Sequence, residues 1–211
     1  MNSAIIVSAG SGNRFGTDIP KQFTKLNNQE ILSYSVTTFL NHPEIHEVII
    51  VCHINWIEHV KKKYPSCQIT KGGKSRQDSC LNGLQSISKK TTNVLIHDAA
   101  RPFISKSIIS NCLTALKTYD SCAPIIPSTD SLVYWDKNKA SHIDRSKIFS
   151  IQTPQCFKIE TIKDILHSNI TGTDEIGVLL KLSPKSNITF IKGDIKNRKI
   201  TYPQDLKNFK I

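Results

Sequence analysis

The chain is 211 residues long, with 28 lysines and arginines set against 17 aspartates and glutamates, a net charge of +11. It has no run of about 18 apolar residues, so no membrane-spanning helix is expected, and its first apolar stretch begins at Ala4, with no basic or Arg/Ser-rich leader ahead of it. The six cysteines, Cys52, Cys67, Cys80, Cys112, Cys122 and Cys156, show no C-x-x-C pair and no accompanying histidine spacing. They read as scattered small apolar residues in a reducing compartment, not as a zinc site or a disulfide framework. A soluble, cytoplasmic chain with one domain over 1–211 is the expectation.

Residues 4–7 are apolar and rich in β-branched side chains, as in a buried strand, and glycines follow at once at Gly10 and Gly12. Helical spacing predicts a helix over 31–40. A second buried strand is expected at 48–52, and an amphipathic helix with a lysine-rich outer face at 57–64. A short strand around Ile69 ends at Lys71-Gly72-Gly73, and Ser75 reads as the N-cap of a helix running to about Ser88. A strand at 94–97 leads into Asp98-Ala99-Ala100-Arg101-Pro102. Ser105 caps a helix to about Tyr119, and 123–126 is the next strand. Residues 128–150 break the alternation: 132–135 is strand-like, 136–139 is a turn, and a polar stretch leads to Arg145 and Ile148-Phe149. This resembles a hairpin arm, which is marginal in water unless it packs on something else. Helices at 159–167 and 174–181, a strand at 188–192 and a short helix opened by Pro203 complete the chain. The pattern predicts an α/β fold with an open, mostly parallel sheet, helices on both faces, and a ligand at the carboxyl ends of the strands.

The first loop carries the strongest chemical signal. Gly10 and Gly12 let backbone N–H groups approach a ligand, Arg14 follows, and Pro20-Lys21 closes the loop. A strand, a glycine loop and two fixed cations suit a polyphosphate. The dinucleotide pattern G-x-G-x-x-G fails at Phe15, and the P-loop pattern fails because no Lys-Ser or Lys-Thr follows Gly16. The pattern G-x-G-x-R followed by Pro-Lys is similar to the signature of sugar-phosphate nucleotidyltransferases. A glycine-rich turn alone would be an ordinary tight turn.

Gly72-Gly73 and Ser79 form a second glycine-to-helix junction, where the backbone can approach a base or ribose. A capped helix with a polar first turn is the alternative. Asp98 directly follows an apolar strand, where a charge needs a partner. One carboxylate plus substrate phosphates suits Mg²⁺, and an N-cap or a salt bridge to Arg101 is the alternative. There are only five arginines, Arg14, Arg76, Arg101, Arg145 and Arg198, in a lysine-rich chain. Each is a candidate for bidentate phosphate or carboxylate recognition. The lysines are spread along the chain as a solvated surface, and no contiguous basic patch with interleaved aromatics marks a nucleic-acid site.

These motifs make the chain similar to the 2-C-methyl-D-erythritol 4-phosphate cytidylyltransferases. The similarity rests on Ala9-Gly10-x-Gly12-x-Arg14 with Pro20-Lys21-Gln22, Gly72-Gly73-x-x-Arg76-x-x-Ser79, His97-Asp98-Ala99-Ala100-Arg101-Pro102, Asp144-Arg145, Thr153-Pro154-Gln155, Thr173-Asp174-Glu175 and Lys199-Ile200-Thr201. It implies a Rossmann-like nucleotidyltransferase fold with a β-hairpin dimerisation arm at about 128–150. It also implies transfer of a cytidylyl group from CTP to methylerythritol phosphate, with Mg²⁺ held by Asp98. Arg14, Lys21, Arg145 and Lys199 would be catalytic. Ser8, Ala9, Gly10, Gly12, Asn13, Arg14, Lys21, Gly73, Ser79 and Ala99 would bind the nucleotide, Gly73 and Ser79 reading the cytosine. Arg101, Ser131, Arg145, Thr153 and Lys199 would hold the acceptor. The family's arm reaches across a homodimer, so Ser131 and Arg145 would serve the partner's site, and neither nucleic acid nor membrane is an expected partner. Ser8, Phe15, Ser131 and Ile176 depart from the family's usual residues. The alternatives are a cytidylyltransferase for ribitol 5-phosphate or another alditol phosphate, against which Ala99-Ala100 leans, and a non-catalytic anion- or nucleic-acid-binding domain.

Overall fold

The computed structural model describes residues 1–10, 15–16 and 19–209. Strand β1 (Asn2–Ser8) leads into a 3-10 turn at Lys21–Phe23 and a tight hairpin of β2 (Lys25–Leu26) and β3 (Gln29–Glu30). The hairpin turns on Asn27 and Asn28, both at positive φ (48° and 64°), which asparagine tolerates better than most residues. Helix α1 (Ile31–Leu40) buries Ile31, Leu32, Val36 and Phe39, one stripe at helical spacing. Then come β4 (Glu47–Cys52), α2 (Ile57–Lys63) and β5 (Gln68–Lys71). Helix α3 (Arg76–Gln85) starts on a full capping box: Ser75 Oγ accepts from the Asp78 amide and the Asp78 carboxylate accepts from the Ser75 amide, both at 3.0 Å.

Strand β6 (Asn93–Asp98) is followed by α4 (Lys106–Ala115), capped by Ser105, and the chain continues in tight turns as far as Tyr119. Next are β7 (Ser121–Pro127), the hairpin β8 (Leu132–Asp136) and β9 (Lys139–Ile143), then β10 (Phe149–Ile151) and β11 (Gln155–Lys158). Helix α5 (Ile159–His167), helix α6 (Glu175–Leu182) and strand β12 (Ile188–Lys192) follow, and Pro203–Phe209 is a 3-10 helix.

The main sheet has eight strands in the order β10-β7-β11-β6-β1-β4-β5, with β12 joined to β7. Pairings β1–β4, β1–β6, β4–β5 and β7–β12 are parallel, as the alternation of strands and helices predicts. Strands β10 and β11 are a finding beyond that expectation. They run antiparallel, and β11 inserts between β6 and β7. The chain bulges between them at Gln152-Thr153-Pro154, where the Gln152 amide still donates to Pro124 O at 2.8 Å. This bulge brings Thr153 beneath the end of β6.

Side chains of the central strands alternate between two apolar layers. Ala4, Ile6, Val48, Ile50 and Leu95 pack on one face with residues of α1, α2 and α4. Ile5, Ile49, Val51, Val94 and Ile96 pack on the other with residues of α3, α5 and α6. The cysteines are less scattered than their sequence positions suggest, since the Cys112, Cys122 and Cys156 thiols lie buried within 4.8 Å of one another in the first layer. The β8–β9 hairpin stands apart from the main sheet, turning on Lys137 and Asn138 at positive φ. Its Val133, Tyr134 and Trp135 are 63%, 59% and 68% exposed. No described helix is long and apolar enough to cross a membrane.

Candidate active site

The carboxyl ends of β1, β5 and β6 open into one cavity of about 550 Å³. Ser8, Ala9 and Gly10 line it from β1, Gly73, Arg76 and Ser79 from the β5–α3 junction, and Asp98 and Ala99 from β6. Lys21 and Lys199 complete the wall. A crevice at strand carboxyl ends is where an open α/β sheet binds ligands. Ten residues singled out in the sequence therefore meet in one place. Gly12, Asn13 and Arg14 lie outside the described residues.

Local bonds fix the first loop. Gln22 is buried, and its amide nitrogen donates to Ser8 O at 2.6 Å and Gly10 O at 3.0 Å, so it pins both ends of the described part of the loop. Ser8 Oγ donates to Val51 O at 2.9 Å, which ties β1 to β4. Lys21 Nζ donates to Ile200 O at 2.9 Å. At the second junction a Cβ on Gly72 would collide with Ala9, and one on Gly73 with Asp78, so only glycine lets these loops abut. Ser79 Oγ donates to Ser75 O at 2.9 Å and accepts from the Gly73 amide at 3.1 Å. The hydroxyl shapes the loop and offers a ligand only its remaining acceptor lone pair.

Asp98 is the electrostatic centre. Lys199 Nζ donates to Oδ2 at 2.8 Å, Arg101 Nε lies 3.7 Å from Oδ2, and Arg76 Nε and Nη2 each reach Oδ1 at 3.4 Å. Burial alone would raise its pKa, but Arg76, Lys199 and Arg101 together hold the carboxyl well below its ordinary value. Arg76 in turn donates to Glu175 Oε1 at 2.5 Å. Burial works against the Arg76 charge, and Glu175 and Asp98 overcome it, raising the guanidinium above its ordinary value. Arg101 is lowered, first by burial, and donates to Asn197 O at 3.0 Å behind the cavity rather than in its wall.

Thr153 is buried beneath Asp98. Its Oγ1 accepts from the Asp98 amide at 3.1 Å and sits 3.0 Å from His97 Nδ1, while His97 Nε2 lies 3.0 Å from Arg101 O. A carbonyl can only accept, so Nε2 carries the proton, Nδ1 accepts and the Thr153 hydroxyl donates. Burial lowers the His97 pKa to about 4, which agrees with a neutral ring. Thr153 thus supports the strand end. Ser131 and Arg145 are exposed on the arm, where Arg145 Nη1 donates to Thr129 O at 2.7 Å, and neither lines the cavity.

Several structural contributors carry no role in the sequence reading. Gln22 and Glu175 stand inside quoted motifs, a signal that marks the positions without giving their task. Gln152 and Asn197 had no signal. Gln152 Nε2 donates to Asp194 O at 2.8 Å and Asn197 Nδ2 to Thr153 O at 2.8 Å, and these bonds anchor the turn that carries Lys199.

The donor set fits a divalent cation that arrives with its own phosphate oxygens. The cavity offers Asp98 as a protein carboxylate, and Mg²⁺ is commonly held by one or two carboxylates plus substrate phosphates.

The model of the family described as 2-C-methyl-D-erythritol 4-phosphate cytidylyltransferase matches residues 2–210. A protein of that name from Clostridium novyi is 37% identical, covering 97% of this chain and 93% of its own. The bifunctional ribulose 5-phosphate reductase/CDP-ribitol pyrophosphorylase of Haemophilus influenzae is 33% identical over 97% of this chain, which spans 46% of that protein. The crystal structure of 4-diphosphocytidyl-2C-methyl-D-erythritol synthase from Anaerococcus prevotii shares the fold, with a TM-score of 0.87, 24% identity, and coverage of 98% and 93% of the two chains. The match over nearly the whole length and the shared fold agree with the cavity at the strand ends: the chain belongs to the 2-C-methyl-D-erythritol 4-phosphate cytidylyltransferase family.

Proposed function

We propose that the chain transfers the cytidylyl group of CTP to 2-C-methyl-D-erythritol 4-phosphate, giving 4-diphosphocytidyl-2-C-methyl-D-erythritol and pyrophosphate. The observation that carries this is the convergence of Ser8, Ala9, Gly10, Lys21, Asp98 and Lys199 on one cavity in a chain that matches the family over residues 2–210. An oxygen of the acceptor phosphate attacks the α-phosphorus of CTP, and the bond to pyrophosphate breaks. A phosphate monoester has its second pKa near about 6, so it attacks as an anion and needs no protein base. The barrier is repulsion between two polyanions and the charge that develops in line.

Lys21 and Lys199, both lining the cavity, stabilise that charge, and Arg14 joins them through the loop motif. Gly73, Ala99 and the loop residues Ser8, Ala9, Gly10, Gly12 and Asn13 cradle the nucleotide. Ser79 offers its free lone pair to the cytosine amino group, which is a donor. Asp98 would hold a divalent cation, Mg²⁺ in this reading, which when bound neutralises triphosphate charge and acts as a Lewis acid. Arg101, Arg145, Ser131 and Lys199 hold the acceptor, and Thr153 acts on it through the end of β6.

The chain is proposed to work as a homodimer of one-domain subunits over 1–211 in the cytoplasm. The support for the dimer is the β8–β9 hairpin, which exposes Val133 and Trp135 on one face and Tyr134 on the other. Free, mostly buried cysteines suit a reducing compartment. Ribitol 5-phosphate is the second acceptor to consider, because the Haemophilus influenzae relative carries CDP-ribitol pyrophosphorylase in its name. A coupled pyrophosphate-release assay with CTP and each acceptor decides. The expected result is a clear preference for methylerythritol phosphate. A preference for ribitol 5-phosphate would replace the acceptor, and no release with either would overturn the proposal.

A further inference from the structure

Arg76 and Glu175 stand in two of the quoted motifs, and nothing above gives the pair a task. Its geometry is lopsided. Arg76 Nη1 donates to Glu175 Oε1 at 2.5 Å, whereas Nε and Nη2 share Asp98 Oδ1 at 3.4 Å each. Charge-assisted bonds of this kind are normally about 2.7–2.9 Å. Glu175 is 2% exposed, and its Oε2 is buried with no nitrogen or oxygen donor on it among the described residues; the weak Cys80 thiol donor is the other polar group beside this carboxylate. An unpartnered carboxylate oxygen in the interior is costly. Two donors of the guanidinium that already holds the other oxygen are spent on long bonds elsewhere.

We propose that Arg76 is an exchangeable stand-in for the divalent cation. Without metal it bridges Asp98 and Glu175. When metal and nucleotide enter, it leaves Asp98 Oδ1 and closes a two-pronged pair on both oxygens of Glu175. The exchange requires that Asp98 be the metal-holding carboxylate, as proposed above. It satisfies the orphaned Glu175 oxygen, and a planar guanidinium fork matches a carboxylate held edge to edge. It also explains how a divalent ion approaches a carboxylate faced by Arg76, Lys199 and Arg101. Moving one of those charges away reduces the repulsion at the oxygen it vacates. Glu175 is in this sense a positioning residue, acting on Asp98 through Arg76.

The test is enzyme-bound Mn²⁺, measured by electron paramagnetic resonance with and without CTP. Asp98→Asn should lose the bound ion. Arg76→Met should bind Mn²⁺ alone more tightly than wild type, by about five- to tenfold, and Glu175→Gln should bind it more weakly with CTP by a similar factor. The opposite signs are the signature, since a merely structural pair would shift both variants alike. Metal-free CTP binding by Glu175→Gln should stay at the wild-type level. If the single variants fail to fold, the double variant R76M/E175M removes both buried charges and should keep the tighter Mn²⁺ binding. Shifts of one sign, or none, while Asp98→Asn still loses the ion would overturn the exchange alone. Unchanged Mn²⁺ binding in Asp98→Asn would overturn the Asp98 assignment and the exchange with it. A crystal structure with Mn²⁺ and CTP gives the direct reading: Arg76 on both Glu175 oxygens supports the exchange, and Arg76 still on Asp98 refutes it.

Discussion

The Lys21 ammonium donates to the backbone carbonyl of Ile200 at 2.9 Å, across 179 residues of sequence. That contact joins the loop after β1 to the turn that carries Lys199, and both lysines line the same cavity. Each lysine is tied to a distant segment by its own ammonium group. Lys199 is seated on Asp98, and its turn is anchored through Gln152 and Asn197.

Removal of either loop cation should therefore slow chemistry more than binding. Lys21→Ala and Arg14→Ala are each expected to lower turnover by on the order of 10²–10³-fold, the cost of losing one transition-state donor. CTP affinity should fall less. Steady-state kinetics with paired binding measurements check this, and near wild-type turnover in either variant would remove that residue from the catalytic set.

Activity should require a divalent metal. Excess EDTA should abolish it, added Mg²⁺ should restore it, and Asp98→Asn should not respond to Mg²⁺ at any practical concentration. The warrant is a carboxylate at the carboxyl end of β6, inside the cavity, with one or two carboxylates being Mg²⁺'s usual share of protein ligands. Full activity in EDTA would defeat the metal assignment.

His97 gives a pH-dependent stability of definite sign. The folded ring has a pKa lowered to about 4 from 6.5, because it is fully buried. Unfolded chains take up a proton through pH 6.5 that folded chains refuse until about 4, so this stabilisation is complete above 6.5 and is lost as pH falls between those values. Its size is on the order of 3 kcal/mol. Urea unfolding at pH 7 and pH 5 should show the loss, and His97→Gln should flatten the slope by about one proton. An unchanged slope in the variant would show that other groups set it.

The arm makes the most exposed prediction. If Arg145 completes the partner's site, a mixture of Arg14→Ala and Arg145→Ala subunits contains heterodimers with one intact site each. Random pairing then restores roughly a quarter of sites, as two-fold symmetry requires. Activity at the sum of the two mutants, with subunit exchange shown by an independent label, would place Arg145 in its own subunit's site.

Local chemistry made much of this legible from residues alone. The periodicity of 31–40 and the capping residues Ser75 and Ser105 predict helices that the structure shows, because those signals act within a few residues. Strands β10 and β11 escaped because four residues such as Gln155–Lys158 have no period of their own. Their place is decided by the two strands that flank them. The same limit hid the tasks of Gln22, Gln152 and Glu175, whose partners lie on other segments. Thr153 and Ser79 carry a second task their motifs did not signal: their hydroxyls also bond to the backbone around the site.

The bond between Lys199 and Asp98 spans 101 residues, and that separation has a consequence for biosynthesis. At about 5–20 residues per second, a ribosome takes roughly 5–20 s to add the lysine after the aspartate. Throughout that interval Arg76 and Arg101 are, among the described residues, the counter-charges already available to the carboxylate. The nascent sheet can therefore close around a compensated Asp98, and the third cation of the cluster arrives as a separate, later event when the Lys199 turn docks.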